Sequence, residues 1–377
     1  MERSYSNISF KGYDAIPLKA LYMQGIGKRG EQNIFREMKS IAQKEGIDLY
    51  LNQHGKQVTT ELTPRPYDYY HLPVWGQDNR AFVMNKNGKV ILWKTDNSSV
   101  KDFDLGSLSE YKVNEQTYMP RGGNYYIGYK ENGDKWLLIN SSTVTSNESF
   151  EKFKDTPTIE HIKELFDVEQ KNIFMITDFS NDLDEFIRPV GYPNILVNDY
   201  NLSMENLEKM KQKFPKSNEV YKSLKIFLER NINQESTMDI VHSADEICNV
   251  LKTYGFNPIK IGGRYLDGIN YMNSIVFRNN KGSLSYITNS TKKSYPEFGY
   301  LEKLFEEDLR KKVPDISDTY FVSGGKRTEA EKNSDSYSAL YRIGLKNDNV
   351  IMDILANRLG GIHCMTAEVP DFSKIHK

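Results

Sequence analysis

Near the C-terminal end of the chain stands Gly360-Gly361-Ile362-His363-Cys364-Met365-Thr366. Two glycines let the backbone bend and approach a ligand closely, and they deliver one of only two cysteines to a point just past a helical segment. That placement suits a nucleophile. A free cysteine is also commonly a small buried hydrophobe, so on these residues alone both readings of Cys364 stand. What decides between them is whether the rest of the chain supplies the partners a reactive thiolate needs.

Outward from this stretch, the sequence repeats a simple grammar. A helix around Ile34 to Lys44 carries Ile34, Phe35, Met38, Ile41 and Ala42 on one face and ends at Gly46 before an apolar strand, Ile47 to Leu51. Strands Ala81 to Met84 and Val90 to Trp93 flank the turn Asn85-Lys86-Asn87-Gly88, and the hairpin returns as Tyr125 to Tyr129 and Trp136 to Ile139. Thr156-Pro157 starts a helix through Phe166 that leads to the strand Ile173 to Ile176. The strand Asn194 to Val197 precedes helices at Met204 to Phe214 and Ser217 to Glu229, and a helix from Ser243 to Tyr254 leads to the strand Pro258 to Ile261. A further hairpin, Tyr271 to Arg278 and Leu284 to Ile287, turns at Asn279 to Gly282, and the helix Tyr300 to Lys311 feeds the strand Thr319 to Val322. Five strand-rich units with interleaved helices emerge, with no break in composition that would serve as a linker. Gly324 to Ser338, polar and charged, reads as a mobile insertion or lid within one domain spanning residues 1–377.

Composition narrows the function. Lys and Arg number 50 against 51 Asp and Glu, which gives no sign of a nucleic-acid partner. The two cysteines, far apart, make no disulfide framework, and a reducing compartment fits. No apolar run approaches a membrane span and Met1 to Tyr5 opens no signal-peptide block, so a cytoplasmic protein with no membrane partner is expected; an exported bacterial effector would look the same. No His/Cys cluster suggests zinc, no cofactor is called for, and a homo-oligomer is left open.

Besides the cysteine, three places put reactive or polar side chains at the edge of a strand or turn: Trp75-Gly76-Gln77-Asp78, Arg121-Gly122-Gly123-Asn124 and Asn181-Asp182-Leu183-Asp184-Glu185-Phe186. Carboxylates gathered round a cysteine oppose thiolate formation, because negative charge raises a thiol pKa. The arrangement becomes sensible if the substrate is a cation that enters between them. A guanidinium fits, being planar, permanently charged and able to make forked hydrogen bonds to two carboxylates. Singly, each aspartate reads equally well as a turn cap or part of a solvated acidic run.

Taken together and in order, these motifs resemble those of the pentein superfamily of guanidino-group-modifying enzymes, closest to the protein-arginine and agmatine deiminases. Gly360 to Cys364 with Thr366 resembles the family's nucleophile motif, and Trp75 to Asp78 its tryptophan-x-x-aspartate motif. Gly122-Gly123-Asn124 resembles its glycine turn. Leu183 to Phe186 with Ile195 to Val197 resembles its histidine-x-aspartate strand and the strand after it, and Tyr271 to Phe277 a strand of the fourth unit. The resemblance spans Trp75 to Pro370.

It implies an α/β fold, a five-bladed propeller of ββαβ-type units with pseudo-fivefold symmetry and an axial active site. It also implies hydrolysis of a small-molecule or protein-arginine guanidinium to a ureido product and ammonia. Cys364 attacks the guanidinium carbon. Asp78 and Asp184 hold the cation, and Trp75, Asn124 and Gly361 line the site. In a site for arginine-like substrates Arg121 is placed to meet a carboxylate or peptide carbonyls, and it reads equally well as pairing with a surface acid.

One position departs from the family. Asp182 stands where the proton-shuttling histidine is expected, and an ordinary carboxyl shuttles protons near neutrality only if its surroundings raise its pKa. Asp182 itself, a distant histidine among His54, His71 and His242, or a pseudoenzyme that only binds arginine are the three accounts; transfer of the amidino group to an amine is a fourth outcome. His363 is expected to point away from Cys364, by alternation along an extended segment.

Overall fold

In the computed structural model the described residues are 17–25, 29–53, 80–84, 90–95, 112–116, 122–130, 132–141, 158–176, 182–231, 243–266, 269–290, 296–323, 362–363 and 366–371. One sheet pattern occurs five times among them: three strands, of which the middle one runs antiparallel to one neighbour and parallel to the other. In the first sheet β1 (Leu18–Gly25) lies between β2 (Asp48–Gln53), parallel, and the far C-terminal strand β17 (Thr366–Pro370), antiparallel. The second is β3 (Arg80–Met84), β4 (Val90–Thr95) and β5 (Lys112–Gln116); the third is β6 (Tyr125–Tyr129), β7 (Lys135–Asn140) and β8 (Ile173–Ile176). The fourth is β9 (Ile187–Pro189), β10 (Asn194–Asn198) and β11 (Asn257–Ile261). A two-stranded pair, β12 (Arg264–Leu266) and β13 (Ile269–Asn270), precedes the fifth sheet of β14 (Ser274–Arg278), β15 (Leu284–Asn289) and β16 (Ile316–Val322).

A parallel neighbour requires a crossover, and in four of the five sheets the described residues supply it with helices. Arg29–Glu45 joins β1 to β2, Thr158–Phe166 joins β7 to β8, and Gly299–Lys312 joins β15 to β16. Three helices, Tyr200–Lys211, Glu219–Asn231 and Ala244–Thr253, lie between β10 and β11. The last begins where its sequence says it should. Ser243 accepts a hydrogen bond from the Glu246 amide at 3.3 Å, and the Glu246 carboxylate accepts one from the Ser243 amide at 2.8 Å, a reciprocal cap of two free helix-end groups.

The units pack on one another through shared apolar clusters. Leu21 and Met23 of the first sheet share an apolar cluster with Ile275, Ile287 and Val322 of the fifth, together with Ile34 and Met38 of the first helix. Tyr126, Trp136 and Leu138 of the third sheet meet Ile195 and Val197 of the fourth. Leu196 and Ile261 of the fourth join Val276 and Tyr286 of the fifth, together with Leu207, Leu224 and Phe305. Each such side chain is worth about 1.5–3 kcal/mol on full burial, so the joints between units are a main source of stability.

The α/β class and the alternation of hairpins with helices are as the sequence predicts. The first helix is longer than expected, beginning at Arg29, because the apolar positions mark only its inward face. β1, β5, β9, β12, β13 and β17 were not anticipated. Cys248 is core as expected, 4% exposed among Ile247, Leu251 and Phe256, and burial pushes its thiol pKa up. The turn Asn85 to Gly88 and the insertion Gly324 to Ser338 lie outside the described residues. Among the described residues no helix is long and apolar enough to cross a membrane.

Candidate active site

Two short turns from different sheets meet. Gly122–Asn124, a single turn of 3-10 helix, leads into β6, and Leu183–Glu185, another, leads into β9. Asp182 sits just before the second in extended backbone and is half-buried. Its Oδ1 accepts a hydrogen bond of 2.7 Å from Asn124 Nδ2, and Asn124 Oδ1 accepts one of 3.1 Å from Asn140 Nδ2. A carboxylate oxygen accepts, so the Asn124 amide must present its nitrogen to Asp182, which leaves its oxygen for Asn140. The fit is close: a Cβ on Gly123 would lie 2.9 Å from Asp182 Cβ, inside any real carbon contact.

Asp184, two residues on, is fully buried. Its Oδ2 accepts a hydrogen bond of 2.8 Å from Asn273 Nδ2 and lies 2.8 Å from His363 Nδ1. On the other side of the imidazole, Nε2 lies 3.0 Å from Nη1 of Arg188, a fully buried arginine whose Nη2 pairs with Glu368 at 3.2 Å. The Tyr126 ring stacks near the imidazole, with centroids 6.2 Å apart, and takes the Arg188 guanidinium over its face at 5.3 Å. Buried charge is tolerated when paired, and here one cation is set among two carboxylates.

The backbone beside Cys364 is held as firmly. The Ile362 amide donates to Asn289 Oδ1 at 2.9 Å and the His363 amide to Asn273 Oδ1 at 3.0 Å, while Thr366 Oγ1 donates towards the carbonyls of both. Residues 362–363 form a turn and not an extended segment, so the alternation expected of His363 does not apply. The imidazole is instead bound to Asp184.

Of the residues singled out in the sequence, Asn124, Asp182 and Asp184 are thus brought into neighbouring turns. Trp75, Asp78, Arg121, Gly361 and Cys364 lie outside the described residues, as do His54, His71 and His242. Sequence reading missed Arg188, Glu368, Asn289 and the part played by His363. A signal existed for Arg188, a charged residue between Ile187 and Pro189 in an otherwise apolar strand. Among the described residues no group of three His, Cys, Asp or Glu side chains is gathered closely enough to hold a metal ion.

The sequence matches no protein-family model, and no curated protein is similar to it in sequence. Solved structures do match. An agmatine deiminase of C. jejuni is similar over 98% of this chain and 99% of its own, with a TM-score of 0.52 and 12% identity. The agmatine deiminase of Enterococcus faecalis is similar over 96% of each chain, with a TM-score of 0.54 and 10% identity. At such identity the likeness is one of fold, and it runs nearly end to end: this chain has the pentein fold that those deiminases share.

Proposed function

We propose that this chain is a guanidino-group hydrolase, a single catalytic domain that converts an arginine-like guanidinium to a ureido product and ammonia. Cys364 is the nucleophile. Its thiolate sulfur bonds to the guanidinium carbon, ammonia departs carrying a proton, water adds to the resulting thiouronium, and collapse of that adduct breaks the C–S bond and returns the thiol. Asp78 holds the cation, Asp182 faces it from the neighbouring turn, and Asp184 sets the local negative charge. Trp75, Arg121, Asn124 and Gly361 shape the site. The observation that carries the reading is the 2.8 Å contact of His363 with Asp184, because the residue after His363 in the chain is Cys364. It supports a nucleophile close to Asp182 and Asp184.

The same reading takes the five sheets to be blades of a propeller around the site. In support, the fifth sheet packs on the first through Ile275, Ile287, Leu21 and Met23. Such a barrel-like closure would let turns from several units converge on one axis.

Agmatine, free arginine and a peptidyl-arginine, each assayed for ureido product, test the function and the substrate class at once. Turnover of one of them, abolished by Cys364→Ala, is expected; absence of turnover for all three sinks the proposal. A second reading, an arginine binder without turnover, is favoured by Asp182 standing where a proton-shuttling histidine would be needed. It predicts thermal stabilisation by arginine with no product, and activity gained by Asp182→His.

A further inference from the structure

We propose that His363 is a positioning residue, locked as the neutral Nδ1–H tautomer between Asp184 and Arg188, and that this lock fixes the turn from which Cys364 acts. The inference rests on Cys364 being the nucleophile. The tautomer follows from donor chemistry alone. Arg188 has only N–H groups to offer, so the imidazole nitrogen 3.0 Å from its Nη1 must present a lone pair. The proton therefore sits on Nδ1, where the Asp184 carboxylate accepts it at 2.8 Å. A second proton, on Nε2, would set two donors against each other. The imidazole thus reads the two sides of its slot differently and fits only one way round.

What surrounds the ring shows why the lock has a purpose beyond filling space. The groups facing it come from four sheets: Asp184 just before β9 and Arg188 on it, Asn273 before β14, Tyr126 on β6, and Glu368 on β17 with Oε1 at 3.9 Å from Nε2. Asn273 grips the turn twice, taking the His363 amide on its oxygen while its nitrogen donates to the same Asp184 oxygen that faces the imidazole. Backbone and side chain of one residue are therefore referred to one carboxylate. Asp184, fully buried, spends its Oδ2 on holding the nucleophile's neighbour, a duty distinct from gripping the substrate. Displacement of a reacting group by about 1 Å costs on the order of a hundredfold in rate, so an anchor at the residue before the nucleophile controls the chemistry through the backbone.

Two measurements on the full chain decide the matter. In protein labelled with 15N-histidine at pH 7.5, the His363 signals, assigned by their loss in His363→Gln, are expected to show a protonated Nδ1 and an unprotonated Nε2. A proton on Nε2 overturns the proposal. The second measurement is the rate at which Cys364 is alkylated by 2-chloroacetamidine, a cation in which the thiolate forms a C–S bond as chloride leaves, followed by intact mass beside a thermal melt of each variant. His363→Leu removes both polar contacts and is expected to slow labelling about tenfold or more, whereas His363→Gln, with an N–H for Asp184 and an oxygen for Arg188, slows it less than about threefold. Equal rates in the two variants overturn the proposal. Should the leucine variant not fold, His363→Asn, too short to reach both partners, takes its place and must be slower than the glutamine variant. If Cys364 of the unaltered protein reacts no faster with the amidine than with neutral 2-chloroacetamide, the guanidino reading fails. The same comparison of variants, read with the neutral reagent, still decides the positioning.

Discussion

Asp182 owes its place to what lies under it. With Gly123 pressed against its Cβ and Asn124 donating to its Oδ1, the carboxylate has little freedom to be elsewhere. A methyl at position 123 must therefore move it, at a cost of about 1–3 kcal/mol for the overpacked contact. Gly123→Ala is expected to lower kcat/KM on whichever guanidine is turned over by about tenfold or more, since misplacement of a catalytic group is costly in rate. The melt should fall by only a few degrees; unchanged kinetics in a folded variant would show that Asp182 has no such fixed role. At this scale the sequence was informative where chemistry is local. Asn124, Asp182 and Asp184 stand in short runs whose residue types already suggest a site for a cation. Arg188, His363 and Glu368 were not legible as a group, because the chain separates the first from the others by 175 and 180 residues and only the tertiary fold joins them.

Among the elements, the helix Thr158–Phe166 shows how a crossover is tied to its sheet. Lys135, at the start of β7, donates from Nζ to the carbonyls of Phe166 at 2.9 Å and Asp167 at 3.2 Å, closing the helix C-terminus. Burial pushes the Lys135 pKa down to about 8. The unfolded chain, with lysine near its ordinary ~10.4, binds more protons between those values, so this group makes stability rise with pH across that window. Lys135→Met removes the effect. Urea unfolding of both proteins from pH 7 to pH 10 should show the stability of the lysine protein gaining on the methionine variant as pH rises. A constant difference would mean that the burial of Lys135 carries no such linkage. Cys248, whose raised thiol pKa acts with the opposite sign, is common to both proteins and cancels in the difference.

Strand legibility followed the same physics. Hairpins with glycine turns were readable, and β6, β7, β8 and β10 fall within a residue of where the pattern puts them. β1 was not, for Leu18, Ala20, Leu21 and Met23 are all buried and leave no alternation between faces. β17 ends at Pro370, a residue that reads as loop and is tolerated here because the strand lies at a sheet edge.

For the whole molecule the decisive joint is the pairing of β17 with β1, from Met23 opposite Thr366 to Leu18 opposite Pro370. It sets residues 366–370 beside residues 18–23 and carries Glu368 to Arg188. Removal of residues 366–377 leaves β1 with one partner strand and Arg188 without that carboxylate. Loss of a single cooperative melt is expected, whereas a chain ending at Asp371 should keep it. If both shortened chains melt like the full one, β17 contributes nothing to stability.

The closure of the first sheet by the last strand also sets a timetable. On a ribosome, the turns at Asn124 and Asp184 emerge before β17 is made, and Arg188 must wait for Glu368, 180 residues further along the chain. Only when residue 368 has left the exit tunnel can Glu368 reach Arg188 and β17 pair with β1, so the surroundings of His363 are completed well after the turns at Asn124 and Asp184 have emerged.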